Sequence, residues 1–288
     1  MAESSIPVDL FNPGQVFACL GFLEAADVLC GDAEGGFDWS DEAETRFCLR
    51  AGSARNPFET VLGFLANTKP RRWGPVGYSE PPPKTRKKGK MAEENKLELR
   101  DTFPAHKTSA TKMALPICLS GESRFAIELS HWADGSSRND FKLYAGNRSA
   151  YQIAGAMLQG IVQLWTERRN DLIERPFGIT TPMSGSFNFD PRGGWTAIGT
   201  GYSPNKQKHQ VAASPVVEIL TTWALENARP NEYETRKVRY AAWGVVLPPI
   251  LARVALAGAV SGVPLKRFRF ELDKAGENKI VTFAEQEI

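Results

Sequence analysis

Hydrophobic positions in the first 66 residues recur mainly at helical spacing. Asn12-Pro13 and Asn56-Pro57 each pair a helix-capping residue with a proline at the next position, and apolar residues then follow every three or four positions. Turn-rich sequence separates the two patterns, and short alternating segments lie within it. The pattern predicts two core-facing helices, over 14–30 and 57–66. Between them it predicts a hairpin with strands at 36–39 and 45–51.

After about residue 112 the spacing becomes mainly strand-like. Candidate strands are 113–119, 124–131, 140–144, 186–189, 195–202, 237–246, 267–272 and 280–283. Ser149, with Gln152 three positions later, predicts a capped helix running to about residue 173, and Ser214-Pro215 and Pro249 begin two more. Because the later strands have short connections, we expect an α+β fold with a mixed, mainly antiparallel sheet and several core helices.

Both patterns stop between about residues 67 and 112. The stretch PRRWGPVGYSEPPPKTRKKGK has too much proline, glycine and charge to bury surface or to sustain a ladder of hydrogen bonds. The sequence therefore predicts an amino-terminal helix, hairpin and helix portion over 1–68, a long basic flexible insertion over 69–111, and a main α+β portion over 112–288. We expect the first and last portions to pack as one unit.

The composition is that of a globular protein, with 42% hydrophobic and 24% charged residues. No uninterrupted apolar run long enough for a membrane span is evident, and the first residues do not resemble a secretion signal, so we expect a cytoplasmic protein that does not bind membranes. Four widely spaced cysteines predict free thiols. Neither a metal nor a cofactor is predicted.

The net charge of +2 conceals a strong asymmetry along the chain. Between Lys69 and Lys90 eight basic residues stand against one acidic residue, for a local charge of +7, which leaves −5 for the rest of the chain. A mildly acidic body with one strongly basic segment indicates a polyanionic partner.

Three segments combine cations with residues that contact nucleic acid. In the basic segment, lysine and arginine neutralise phosphates and Trp73 can stack on an exposed base. Polar side chains crowd GTGYSPNKQKHQ over 199–210, and segment 136–148 carries cations around a strand and the start of a helix, where terminal amides can meet a phosphate. An ordinary solvated loop is the competing interpretation of each. The candidate nucleic-acid-binding residues are Arg71, Arg72, Trp73, Lys84, Arg86, Lys87, Lys88, Lys90, Arg138, Asn147, Arg148, Tyr202, Asn205, Lys206 and Lys208.

A fourth feature is the strand predicted near the end of the chain. Lys266, Arg267 and Arg269 alternate with Phe268 and Phe270, which predicts one basic face. An edge strand guarded by charge against aggregation would show the same alternation.

Recognisable catalytic motifs are absent from the sequence. The three histidines lack metal-ligand spacing, and no nucleophile elbow, Walker loop or dinucleotide fingerprint occurs. We therefore expect a non-catalytic protein. The alternative is a metal-dependent nuclease that holds magnesium with Asp134, Asp140 and Asp190, although each of these borders a turn, where aspartate is common.

Several phrases of the sequence resemble one known family. These phrases are IPVDLFNPGQVFACLGFLEAADVL, SRFAIELSHWADGSSRNDFKLYAGNRSA and SGSFNFDPRGGWTAIGTGYSPNKQ, together with ENARP. The resemblance is to the compact large-subunit family of type I CRISPR effector complexes, subtype I-G (formerly I-U), and it spans most of the chain outside 69–111.

The resemblance implies a non-catalytic subunit of Cascade, a ribonucleoprotein complex of antiviral defence. Its expected partners are the CRISPR guide RNA, target double-stranded DNA beside the protospacer, the other backbone subunits and a separate helicase-nuclease. In such complexes base pairing reads the target, and protein contacts the backbone and a short adjacent motif. No residue signature for reading that motif follows from the resemblance. A scaffold subunit that contacts only protein is a further alternative.

Overall fold

The chain forms an α+β fold with mostly antiparallel sheets, as the sequence predicts. In the computed structural model, the described residues are 1–41, 43–76, 98–100, 115–121, 125–132, 141–144, 149–183, 185–194, 212–275 and 278–287.

Helices provide most of the core around which the sheets pack. Their bounds are α1 Pro13–Cys30, α2 Pro57–Ala66, α3 Ala150–Glu167, α4 Arg169–Glu174, α5 Pro215–Asn227 and α6 Pro249–Leu256, with a 3₁₀ turn at Pro191–Gly193. The strands are β1 Ala2–Pro7, β2 Glu34–Asp38, β3 Arg46–Ala51, β4 Thr68–Pro75, β5 Glu98–Arg100, β6 Ile117–Gly121, β7 Ala126–Leu129, β8 Thr181–Pro182, β9 Ala212–Ala213, β10 Asn231–Glu234, β11 Lys237–Trp243, β12 Leu265–Ala275, β13 Asn278–Val281 and β14 Glu285–Glu287.

These strands pair into separate sheets. The first has the order β1-β3-β2, the second β10-β11-β12-β13 with β14 also paired to β12, and the third β5-β4-β6-β7. Only the β4–β5 pair is parallel among the described pairs, and β8 and β9 form a small antiparallel pair. A bridge between Gly35 and Leu247 connects the first sheet to the segment before α6.

Helix α1 is the central element of the core. It packs on α5 so closely that a Cβ atom added at Gly21 would lie 2.1 Å from the Leu220 carbonyl oxygen, and Phe17 packs edge-on against Tyr240 of β11, with ring centroids 5.4 Å apart. By length and composition α1 could span a membrane, but 78% of it is buried inside the fold, which is typical of the core helix of a soluble protein.

Local capping signals in the sequence correctly located four helix starts. Asn12 Oδ1 accepts a hydrogen bond from the Gln15 amide at 3.1 Å at the start of α1, and Asn56 and Ser214 cap α2 and α5 in the same way. Ser149 and Gln152 form the predicted reciprocal capping box of α3. These signals depend on residues three positions apart, so tertiary packing is not needed to find them.

Several other predictions were wrong. Residues 69–75, assigned to the flexible insertion, belong to β4, which pairs with β6 despite Pro70 and Pro75. The helix expected to reach residue 173 ends at Glu167, because Arg168 leaves helical geometry with φ −140° before α4 begins.

Two predicted strands are also absent from the described residues 141–144 and 186–189. In the second, Asn188 has φ 68°, which breaks an extended run, and the Phe189 amide donates to a glutamate side chain instead of a neighbouring strand. Strands β1, β10 and β14 were not predicted, since their short polar sequences carry little alternation. Predicted strand 195–202 lies outside the described residues.

Candidate nucleic-acid interface

An aromatic cluster lies where several polar connections of the chain begin or end. Trp132 stacks on Phe187 with ring centroids 5.5 Å apart and an interplanar angle of 16°, and Tyr144 packs edge-on against Phe187 at 5.7 Å. The Trp132 indole N–H donates to the Leu115 carbonyl at 3.3 Å. Each of these residues is buried. The cluster therefore joins residues from four separate parts of the sequence.

The position of this cluster brings together the ends of segments nominated from sequence. Trp132 and Phe141 flank 133–140, Tyr144 and Ser149 flank 145–148, and Leu115 follows the carboxyl end of the predicted insertion. Segments 133–140 and 145–148 contain most of the polar stretch that we identified at 136–148. One end of each segment lies in the cluster, since the Trp132 and Tyr144 ring centroids are 6.2 Å apart.

The second polar stretch, within 195–211, is attached to the same region. It leaves the described fold at Gly194 and rejoins it at Ala212, and the amide of the nearby Ser214 donates to Asp190 Oδ2 at 2.9 Å. Strand β13 connects the two sets of ends, since the Lys279 amide donates to the Leu143 carbonyl at 2.9 Å and the Val281 amide to the Asn188 carbonyl at 3.2 Å.

Asp190 is the centre of a buried polar network that positions these ends. Its carboxylate accepts hydrogen bonds from Asn12 Nδ2 at 3.2 Å, from the Ser214 amide, and from the Arg192 guanidinium at 2.6–3.1 Å. Asn12 also caps α1, and Ser214 caps α5. One carboxylate therefore ties segment 187–194 to the amino ends of two core helices.

Glu218 supports the same segment from inside α5. Its Oε1 accepts hydrogen bonds from the amides of Phe189 at 3.1 Å and Asp190 at 2.9 Å. Burial raises the pKa of Glu218 to about 8, and the nearby Asp190 charge adds to this, whereas the amide hydrogen bonds act in the opposite direction. The neutral form is thus favoured in the fold near neutral pH.

Cations of the described fold lie beside the aromatic cluster. Lys142 Nζ lies 4.5 Å from the centroid of the Tyr144 ring and donates to the Tyr144 carbonyl at 3.1 Å. Burial, and then the charge of the neighbouring Lys279, lower the pKa of Lys142. The two lysines therefore lie near each other beside the aromatic cluster, and burial is the larger cause of the lowered pKa.

Two cations of this region, Arg192 and Lys279, were missed as site residues. Arg192 follows Asp190-Pro191, a pattern that in retrospect indicates a capped turn with the arginine held back on the aspartate. Lys279 carries no local signal, because only the pairing of β13 with its neighbours places it near Lys142.

Three predicted site residues lie on β4. Arg71 is exposed and its guanidinium is 3.5 Å from the Glu98 carboxylate, while the Arg72 guanidinium lies 5.7 Å from the centroid of the Tyr151 ring. Trp73 is 8% exposed and belongs to the buried interior of the third sheet. In this structure the Trp73 indole is covered by protein and does not present an open face to a base.

The other predicted site residues lie outside the described residues and stay predictions. They are Lys84, Arg86, Lys87, Lys88 and Lys90 of the basic segment, Arg138, Asn147 and Arg148, and Tyr202, Asn205, Lys206 and Lys208.

The predicted basic face of β12 has mixed charge. Phe268 and Phe270 are buried, whereas Arg267 and Arg269 are exposed, as the alternation predicts. However, Arg269 pairs with Glu285 at 3.0 Å, and Arg239 of β11 pairs with Glu287 at 2.6 Å. The sequence could not reveal this neutralisation, because it depends on β14 lying beside β12.

The residues of the nuclease hypothesis do not form a metal site in the described part of the chain. Asp190 is 1% exposed and bound by protein donors, and Asp134 and Asp140 lie outside the described residues. His131 is buried between Trp132 and Phe189. Within the described ranges no three histidine, cysteine or acidic side chains group as metal ligands do.

Comparison of the chain with protein-family models, with curated proteins and with solved structures finds no match. The fold and the candidate site describe an α+β protein. Several of its polar segments begin or end at one aromatic cluster, and lysines lie beside that cluster.

Proposed function

We propose that the chain is a non-catalytic, nucleic-acid-binding subunit of an RNA-guided CRISPR surveillance complex of type I. In this proposal it binds the guide RNA and target double-stranded DNA near the protospacer-adjacent motif, contacts other backbone subunits and helps to recruit the helicase-nuclease in antiviral defence. A cytoplasmic location belongs to the same proposal. The assignment to a CRISPR complex rests on the resemblance of the sequence phrases quoted above.

One observation carries the nucleic-acid part of the proposal. Two polar segments nominated independently from sequence, 136–148 and 202–210, attach to the body around a single aromatic cluster and a single buried carboxylate network. Binding residues commonly lie on connections whose ends are held by a rigid scaffold.

The charge distribution along the sequence favours a polyanion over other ligands. The basic segment from Lys69 to Lys90 carries a local charge of +7, against −5 for the rest of the chain. Phosphate backbones are recognised mainly through such cations, without need for catalytic residues.

The nuclease alternative gains no support from the described residues. Its one described aspartate, Asp190, is committed to Asn12, Arg192 and Ser214. Movement of Asp190 onto a metal would leave two buried donors without an acceptor, which is costly.

The salt dependence of DNA binding by the reconstituted complex tests the role of the basic segment. Replacement of Arg86, Lys87, Lys88 and Lys90 by glutamine should lower the slope of log affinity against log salt by about 3 to 4 units if each contacts a duplex phosphate. A matched control replaces four partly or fully exposed cations that already have acidic partners, Arg46, Arg168, Lys237 and Arg269, and should leave the slope nearly unchanged. An unchanged slope in the first variant would refute the role of the segment.

Photochemical crosslinking tests the candidate interface itself. Crosslinks from guide RNA or target DNA should map to 133–148, which includes Lys142, to 195–211, and to Lys279 of β13. Crosslinks confined to other surfaces would contradict the proposal, and crosslinks to protein alone would favour the scaffold alternative.

A further inference from the structure

The outer face of α6 exposes large aliphatic side chains. Ile250 is 67% exposed, Leu251 45% and Val254 41%, whereas Ala252 and Ala255 on the other side of the helix are buried. Three large aliphatic residues on one two-turn helix form a patch and not the scattered exposure found on ordinary surfaces.

Two further exposed valines lie in the segment that precedes the helix. Val245 is 40% exposed and Val246 36% exposed, and the backbone of both is held against Gly36 of β2, where an added Cβ would lie 2.1 Å from the Val245 oxygen. We name Val245, Val246, Ile250, Leu251 and Val254 the α6 apolar face. The segment with Val245 and Val246 packs against β2, and the helix itself packs against β11 and β2.

A cavity of about 430 Å³ adjoins this face. Ile250, Pro249 and Met1 provide apolar lining, and Asp27, Asp32 and Glu34 provide carboxylates. The cavity is large enough to take one large apolar side chain of a partner, with acidic groups at its margin.

The arginine side chains near the cavity are already committed to ion pairs. Arg253 makes a two-pronged ion pair with Glu24 at 2.7 Å, and Arg50 pairs with Glu34. Asp27 accepts the Ala33 amide at 3.1 Å, and neither Asp27 nor Asp32 has an ion-pair partner in the part of the chain described. The carboxylates of Asp27 and Asp32 outnumber the amino group of Met1, which also lines the cavity, so the margin carries a net negative charge.

The α6 apolar face lies far from the aromatic cluster. Helix α1 begins beside the Asp190 network and carries Asp27 in its last turn, and its 18 residues span about 27 Å. The two surfaces can thus be occupied at the same time by different ligands.

From this geometry we infer that the α6 apolar face is the docking site for a protein segment that presents an apolar stripe flanked by lysine or arginine. The apolar stripe covers Ile250, Leu251 and Val254, and the basic residues meet Asp27 and Asp32. A second copy of this chain is a poor occupant, because a symmetric contact would bring the acidic margins together. The inference is independent of nucleic-acid binding.

Binding of a defined peptide to the full chain tests the inference. The probe is an amphipathic helical peptide with leucines at spacings of three and four and lysines beside them, and the matched control peptide carries glutamates in place of the lysines. Fluorescence anisotropy should show that the lysine peptide binds at least about tenfold more tightly than the glutamate peptide.

Variants of the chain locate the binding. Ile250→Asp and Leu251→Asp should each weaken the lysine peptide by about tenfold or more, whereas Val162→Asp, at a 41% exposed valine of α3, should not. Asp27→Asn with Asp32→Asn should reduce the preference for lysine over glutamate to less than about threefold, since it removes charge and keeps the side-chain acceptors.

Failure of both peptides to bind at millimolar concentration, or equal binding of the two, would overturn the inference. Sedimentation velocity gives a separate reading. A dimer of the wild-type chain that Ile250→Asp dissociates would assign the face to a second copy and would also overturn it.

Discussion

Asn12 Nδ2 donates a hydrogen bond to Asp190 Oδ1 at 3.2 Å, joining the cap of the first helix to a residue 178 positions later in the chain. The same carboxylate holds Arg192 and the cap residue of α5. This contact determines where the connection that leaves the fold at Gly194 lies relative to the core helices.

Replacement of Asp190 by alanine should destabilise the fold strongly. The change leaves Asn12 and the Ser214 amide, both fully buried, without their acceptor and removes the partner of Arg192, and we expect a loss of about 3–5 kcal/mol in the free energy of unfolding. Urea unfolding measures it. Asp171→Ala, which breaks the exposed pair with Arg168, should cost at most about 1 kcal/mol, and equal losses in the two variants would contradict the importance assigned to the network.

Glu218 should make stability fall as pH rises. Its pKa is raised to about 8 in the fold, mainly by burial, from an ordinary value of about 4.3 in an unfolded chain. Stability from the neutral carboxyl is therefore complete below about pH 4 and is lost progressively up to about pH 8, by at most about 1.4 kcal/mol per pH unit.

Unfolding of wild-type chain and Glu218→Gln across pH 5–9 measures this dependence. Glutamine keeps an oxygen for the Phe189 and Asp190 amides and cannot ionise, so its stability curve should be flatter and should cross above the wild-type curve at alkaline pH. Parallel curves for the two proteins would show that Glu218 is ionised in the fold.

Two glycines of long helices should respond oppositely to alanine. At Gly21 the new methyl group would lie 2.1 Å from the Leu220 oxygen, so α1 and α5 must separate, and we expect a loss of about 1–3 kcal/mol. At Gly155 of α3 the nearest atom is a Pro70 side-chain carbon at 3.8 Å, so the higher helix propensity of alanine should stabilise the chain by about 0.5–1 kcal/mol. Thermal unfolding distinguishes the two signs, and a stabilised Gly21→Ala would mean that the helices are not in contact there.

Trp73 should contribute to stability and not to nucleic-acid affinity. Trp73→Ala should cost about 3–5 kcal/mol of unfolding free energy, because the indole is buried, and should leave the salt slope of DNA binding unchanged. Arg71→Gln, two positions before it and exposed, is the control and should barely change stability. A Trp73→Ala variant of normal stability and reduced affinity would restore the base-stacking role.

The sequence alone determined the helices that begin with local signals. The caps at Asn12, Asn56, Ser149 and Ser214 act through residues two or three positions away, and apolar spacing then marks the buried side of each helix. It also identified the alternation of β12, since burial of every second residue is a local pattern.

Only the tertiary structure decided which polar residues meet and which charges are neutralised. Asp190 looked like a turn residue, yet it binds partners from three parts of the chain, and the arginines of β11 and β12 looked basic until β14 placed Glu285 and Glu287 beside them. Trp73 looked available for stacking because its neighbours are prolines, glycines and cations, but it lies in β4 opposite Glu98 of β5 with its side chain buried. Hydrogen bonds and ion pairs between distant residues depend on chain topology, and a single sequence carries no local signal for them.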